Sequence, residues 1–231
     1  QEAYEQKMAE RKAQEERTGR KPGGTPPAEP QPGPRPKDQI NLTDADSRIM
    51  PTSGGGFEQA YNAQAAVDVN TMLIVEQHVS QNPNDKQEVK PALDNLDAVA
   101  GVIGKAEAII ADTGYFSANN VDACHDHQVE PYIAAGRDAH YPPLAERLSA
   151  AAPLAADASP VERMKHRLRT PEGREVYAPR KCTVEPTFGI IKSVLGFRQF
   201  LLRGRQSVQA EWAMVCIGWN LKRLHRLQFA I

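Results

Sequence analysis

The chain has 231 residues, of which 40% are hydrophobic, 25% charged and 6% aromatic, enough for one ordinary domain whose core needs no crosslinks. No run approaches the roughly 18 apolar residues of a membrane-spanning helix, and the charged opening Gln1-Glu2-Ala3-Tyr4-Glu5-Gln6-Lys7 argues against a secretory signal. Three cysteines, Cys124, Cys182 and Cys216, form no CxxC pair. They argue against a disulfide framework and a structural zinc site, so a reducing cytoplasm is the expected location.

The net charge of −1 conceals a segregation. Residues 1–40 hold 8 Lys+Arg against 7 Asp+Glu, residues 41–160 hold 6 against 17, and residues 161–231 hold 14 against 5, giving +1, −11 and +9. Such asymmetry hints at nucleic-acid contact, and an acidic middle suits a site that collects divalent metal.

Residues 1–21 are a helix candidate carrying Glu2, Glu5, Lys7, Glu10, Arg11, Lys12, Glu15, Glu16 and Arg17. A helix polar on every face is marginal alone. Residues 22–37, PGGTPPAEPQPGPRPK, are a proline-glycine linker that packs no core. A disordered N-terminal segment, 1–40, is therefore expected ahead of a folded domain, 41–231.

Ser53-Gly54-Gly55-Gly56 predicts a flexible turn. Residues 62–69 (NAQAAVDV) and 72–79 (MLIVEQHV), separated by Asn70-Thr71, predict a β-hairpin. Asn84-Asp85 caps a helix reaching about residue 100, with Val89, Leu93, Leu96 and Val99 at helical spacing. Residues 106–111 predict a buried strand ending at Asp112-Thr113-Gly114-Tyr115. Ser117 caps the next helix, 118–126, and residues 129–134 predict another strand.

Residues 137–175 are polar and proline-punctuated, predicting short helices and loops. A helix over 183–195 would turn Val184, Phe188, Ile191 and Leu195 to one face. A last helix, about 207–227, would bury Trp212, Val215, Cys216, Trp219 and Leu224. The order of elements predicts an α/β fold with a mixed sheet.

Two acids carry the chemistry. Asp112 stands where a hydrophobic strand ends and Gly114 lets the chain turn, the end of an α/β sheet at which catalytic groups gather; its bland reading is a turn cap. Glu185 precedes Pro186 and reads as a residue of a helix's first turn, where it could merely complement the dipole. Arg180 and Lys181 precede it and Lys192 follows two helical turns on. A metal-binding carboxylate among fixed cations is a layout for phosphodiesters: metals neutralise the attacking and leaving oxygens while cations hold the other phosphates.

Other clusters read as structure. Cys124, His125 and His127 follow one another at a helix end without a distant pair, so a solvated helix end outweighs a metal site. Trp212 and Trp219 are seven apart, which is core spacing. The basic run Arg163, Lys165, His166, Arg167 and Arg169, with Arg198, Arg203 and Arg205, is expected to track a phosphate backbone.

The string RKCTVEPTFGIIK, residues 180–192, resembles the glutamate motif of DDE transposases from bacterial insertion sequences. Residues 41–48 (NLTDADSR), 60–64 (AYNAQ) and 111–115 (ADTGY) are similar to other signatures of that group, in the family's order. The resemblance implies a ribonuclease-H-like mixed sheet flanked by helices, and a triad of two Asp and one Glu binding two Mg²⁺ ions, with Mn²⁺ as a substitute. It implies a metal-activated water that cuts at the element's ends, and a 3′-hydroxyl that then attacks target DNA.

By position Asp112 is the second aspartate and Glu185 the glutamate, both metal ligands. Tyr177, Arg180 and Lys192 match a signature that contacts the DNA end. The commonest spacing would select Lys181 in place of Arg180. The partner implied is double-stranded DNA, transposon ends and target, with a homodimer in the full-length form. The family's first aspartate lies on a strand ahead of residue 41, where only Asp38 stands and no strand pattern exists.

The fold is thus expected to lack its first strand. The chain is expected to be the C-terminal part of a longer transposase that cuts no DNA alone. Asp44, Asp46 and Asp68 are weaker substitutes, since each suits a turn. The competing readings are a non-catalytic DNA-binding remnant and a nuclease of the same fold.

Overall fold

The computed structural model describes residues 2–19, 21–23, 25–30, 32–33, 39–52, 54–136, 153–155 and 157–229. Asp38, Ser53 and positions 137–152 of the polar stretch lie outside the described residues. Two units divide the chain, Gln1–Ile40 and Asn41–Ile231. In the first, the polar pattern forms helix α1 (Glu2–Thr18), and Arg11 Nη2 donates to the Pro22 carbonyl at 2.9 Å.

The second unit opens with an antiparallel pair that the sequence did not announce, β1 (Arg48–Pro51) and β2 (Phe57–Ala60). Both are short and exposed along most of their length, so neither shows the alternation of a half-buried strand. The glycine-rich turn joins them, with Gly55 at φ +84° in the left-handed region that suits glycine. The predicted hairpin follows as β3 (Asn62–Val67) and β4 (Ile74–Ser80). Its loop is wider than two residues because Asp68 Oδ2 accepts from Thr71 N at 2.7 Å and Thr71 Oγ1 at 2.6 Å, an Asx turn.

A 3₁₀ turn, Asp85–Gln87, capped by Asn84, leads into α2 (Val89–Ile103). Next come β5 (Ala108–Ala111), a second 3₁₀ turn (Thr113–Tyr115), α3 (Ala118–Asp126) and β6 (Glu130–Ile133). Ser117 caps α3 through Asn120 N, as predicted. Strands β5 and β6 run parallel, so β5–α3–β6 is a βαβ unit. The remaining helices are α4 (Pro160–Arg169), α5 (Pro171–Tyr177), α6 (Arg180–Ser193) and α7 (Arg205–Gln228).

The fold is α/β, as expected, but among the described residues small sheets, two antiparallel and one parallel, stand in place of a single mixed sheet. Among the described residues the strands pair two by two, β1 with β2, β3 with β4 and β5 with β6, and no strand precedes β1.

Helix α6 starts one turn earlier than predicted, so Glu185 is its sixth residue and Pro186 lies inside it. The earlier start rotates the buried face onto Thr183, Thr187 and Ile191, and leaves Leu195 exposed. The threonines tolerate burial because their hydroxyls donate to the carbonyls of Pro179 at 3.1 Å and Thr183 at 2.8 Å. On α7 the buried residues are Val208, Trp212, Cys216 and Trp219; Leu224, expected inside, is exposed. The indole N–H groups of Trp212 and Trp219 donate to the Gln64 and Met72 carbonyls, which confirms both as structural.

Two apolar clusters result. Ile74, Val79, Ile191, Val208, Trp212, Cys216 and Trp219 join the hairpin to α6 and α7. Val89, Leu93, Ala111, Cys124, Val129 and Ile133 join α2, α3, β5 and β6. A buried ionic bridge ties the hairpin to the segment that enters α2. His78 Nδ1 lies 2.8 Å from Glu76 Oε1 and its Nε2 lies 2.8 Å from Glu88 Oε2, while Ser80 and Asn82 donate to Glu88 Oε1.

Burial disfavours charge on His78, but the two carboxylates outweigh it and push the imidazole up to about 9. Burial would likewise raise Glu88, yet the bonds from His78, Asn82 and Ser80 hold it below its usual range. A raised histidine contributes stability that is complete below its unfolded value near 6.5 and lost as pH climbs through 9. A depressed glutamate contributes stability that is present above 4.5 and lost as pH falls through its folded value. The thermal midpoint is therefore expected to fall on both sides of a plateau between roughly pH 5 and 6.5. His78→Leu should cost about 3–5 kcal/mol in denaturant unfolding at neutral pH by stranding two carboxylates. An alkaline limb as steep in His78→Leu as in the unsubstituted chain would contradict the assignment.

Candidate active site at the carboxyl end of strand β5

Asp112 follows β5 directly and caps the turn Thr113–Tyr115, its Oδ1 accepting from Gly114 N at 2.8 Å. The turn-cap reading is thus realised, and the side chain nevertheless stays exposed. Glycine at 114 suits the closeness: a Cβ there would stand 3.0 Å from Asp112 Oδ1 and 3.2 Å from Asp85 Oδ2, so those side chains would have to give. Two carboxylates thus flank one turn.

In the sequence Asp85 presents itself only as part of a helix cap. Its Oδ1 accepts from Asn62 Nδ2 at 2.9 Å and Gln64 Nε2 at 2.8 Å. Gln64 is 7% exposed and accepts at Oε1 from the Tyr115 hydroxyl at 2.5 Å. Burial, with the Asp85 and Asp112 charges, pushes the Tyr115 phenol well above its ordinary range, so it remains a donor. The signal for these residues was the 60–64 string: Asn62 and Gln64 are two apart on a strand and share a face.

Glu185 approaches through a chain of contacts. Helix α5 ends at Tyr177, whose hydroxyl donates to the Ala111 carbonyl at 3.3 Å, one residue before Asp112. The Arg180 guanidinium lies 5.8 Å from the centroid of the Tyr177 ring, and its Nη2 is 3.5 Å from Glu185 Oε1. The Glu185 side chain is 60% exposed, so that pair contributes little to stability. Lys181, Glu185 and Lys192 are exposed and, at spacings of four and seven, lie along one stripe of α6. Lys192 Nζ is 6.0 Å from the centroid of the Phe188 ring.

The substitute acids serve locally. Both Asp44 oxygens lie 2.8 Å from the Tyr61 hydroxyl, Asp46 Oδ2 accepts from Arg205 N at 3.0 Å, and Asp68 makes its Asx turn. His127 is no solvated helix end: it lies 2.6 Å from Asp97 and 3.4 Å from Asp94 on α2, because the end of α3 abuts that helix. Burial pushes the Cys124 thiol up to about 12, an inert group.

Arg167 leaves the expected basic track. It pairs with Glu130 at 2.6 Å, donates to the Pro131 carbonyl at 3.1 Å and covers the Tyr132 ring, which clamps α4 to β6. Among the described residues no group of three or more His, Cys, Asp or Glu is placed to hold a metal ion.

An acid at the end of a βαβ strand is thus linked through a tyrosine and an arginine to a glutamate on a lysine-flanked helix. A family model described as the transposase DDE domain matches residues 36–221, and the chain belongs to that family. Its α/β architecture with small sheets is consistent with a ribonuclease-H-like DDE domain, and the family generally uses divalent metal ions and acts on DNA. Searches of curated proteins and of solved structures find no match. Among the described residues no helix is long and apolar enough to cross a membrane.

Removing the hydroxyl that holds α5 to β5 tests the contact chain. Tyr177→Phe is expected to lower unfolding free energy by about 0.5–1.5 kcal/mol, measured in urea. An unchanged value would show that the bond to Ala111 contributes nothing.

Proposed function

We propose that the domain serves cytoplasmic DNA transposition of the bacterial insertion-sequence type, with Asp112 and Glu185 as ligands of a divalent cation, Mg²⁺ in the cell. The observation that carries this reading is the contact path from Ala111 through Tyr177 and Arg180 to Glu185, which ties the two acid-bearing segments. The donor set fits the ion: Mg²⁺ takes hard oxygen ligands, often one or two carboxylates, and keeps several waters. When bound, such an ion offsets the charge that develops on the oxygens of a phosphodiester under attack.

The chain's own residues bind and orient. Lys181 and Lys192 flank Glu185 and offer ammonium groups to DNA phosphates. Arg180, held against Tyr177, sets the Glu185 carboxylate and presents guanidinium donors beside it. Asp112 keeps one oxygen on Gly114 N, which fixes its rotamer. The resemblance implies a third carboxylate beside these two, and strand cleavage is expected to require it. The resemblance implies that two such domains act together on paired DNA ends.

The alternative, a non-catalytic DNA-binding domain, is favoured by the lack of a three-ligand cluster among the described residues. Titration with Mn²⁺ separates the two. Saturable binding that is lost in both Asp112→Asn and Glu185→Ala supports the metal site; binding unchanged in either removes that residue from it. On mixed-sequence duplex DNA, Lys181→Ala and Lys192→Ala should each reduce the slope of log affinity against log salt by about 1. Unchanged slopes in both would reject the phosphate contacts.

A further inference from the structure

Building on the assignment of Asp112 as a metal ligand, we propose that Asp85 is its positioning residue, held in that role by Asn62 and Gln64. The sequence motif containing Asn62 and Gln64 thereby acquires a task that the proposed reaction left open. The two 3₁₀ turns, Asp85–Gln87 and Thr113–Tyr115, are fastened to each other at two points. Buried Asn120 donates through Nδ2 to the carbonyls of Lys86 at 2.9 Å and Tyr115 at 2.6 Å. Gln64 takes the Tyr115 hydroxyl at 2.5 Å and gives its amide to Asp85 at 2.8 Å.

Between those fastenings lies Gly114, whose missing side chain lets Asp85 Oδ2 and Asp112 Oδ1 both come within about van der Waals reach of its would-be Cβ, at 3.2 and 3.0 Å. Asp112 cannot swing freely without breaking its bond from Gly114 N. Both residues that grip Asp85 are neutral amides. They satisfy one of its oxygens and leave its negative charge in place, and among the described residues it makes no ion pair. The arrangement keeps the Asp112 carboxylate preorganised and sets a second charge beside it, both of which favour capture of a cation.

The test is titration of the full chain with Mn²⁺, following free Mn²⁺ by electron paramagnetic resonance, with hydrogen exchange at Gly114 N as a second readout. Asp85→Asn keeps the shape and an acceptor oxygen but removes the charge; it should weaken Mn²⁺ about tenfold, as loss of an outer partner does at metal sites. Tyr115→Phe should weaken Mn²⁺ by a smaller factor and speed exchange at Gly114 N. Asp68→Asn, in the β3–β4 turn, should match the unsubstituted chain.

Wild-type affinity in Asp85→Asn alongside a loss in Asp112→Asn would overturn the positioning role and leave the metal site standing. Unchanged affinity in Asp112→Asn, or no saturable binding by the unsubstituted chain, would overturn the metal site and the positioning role with it. Should Asp85→Asn fail to fold, Tyr115→Phe decides: wild-type affinity and exchange there would overturn the proposal.

Discussion

Gln64 sits buried on β3, and each polar group of its side chain has a use. Its amide nitrogen reaches Asn62 and Asp85, its amide oxygen takes the Tyr115 hydroxyl, and its main-chain carbonyl takes the Trp212 indole. A buried amide left unpaired costs roughly 1–3 kcal/mol per group, so these partners must be present together. They come from four parts of the chain. The apolar clusters on either side of this seam are built from different elements, and directional bonds here and at Glu76–His78–Glu88 set their register. Polar seams of this kind specify one arrangement where apolar contact alone would accept several.

For the proposed chemistry the consequence is a division of labour between two sides of one site. The acidic middle of the chain supplies Asp85 and Asp112, on turns bolted to the seam. The basic last third supplies Arg180, Lys181 and Lys192, on a helix whose buried threonines root it in the core. Tyr177 is the link, because its hydroxyl reaches the strand that carries Asp112 while its ring supports Arg180. On the proposed reading, charges segregated along the sequence converge on one site in the fold. A cation and a phosphate backbone are the partners that such a pairing of acids and bases suits.

Much of the scaffold was legible in the sequence, for identifiable reasons. The hairpin and the βαβ unit announced themselves through β-branched runs, the Ser117 cap and the Asp112–Gly114 turn. Strands β1 and β2 were silent because short exposed strands lack a hydrophobic period. The sequence pattern places the start of α6 one turn late because Pro186 reads as a first-turn residue. Thr183 and Thr187 were then missed as core residues because only their back-bonded hydroxyls make burial tolerable. At the site, Asp112 and Glu185 stood out by residue type and neighbours. Asp85 did not, because its significance lies in contacts with Gly114, Asn62 and Gln64, and distance in space leaves no trace in a local pattern. The same holds for Arg167: a guanidinium clamped to Glu130 looks, in sequence, like any other member of a basic run.

A crystal structure of this chain grown with Mn²⁺ tests the central claim most directly. An anomalous difference peak with carboxylate oxygens of both Asp112 and Glu185 within bonding distance is the predicted result. Occupied manganese sites elsewhere, with neither carboxylate coordinating, would contradict it.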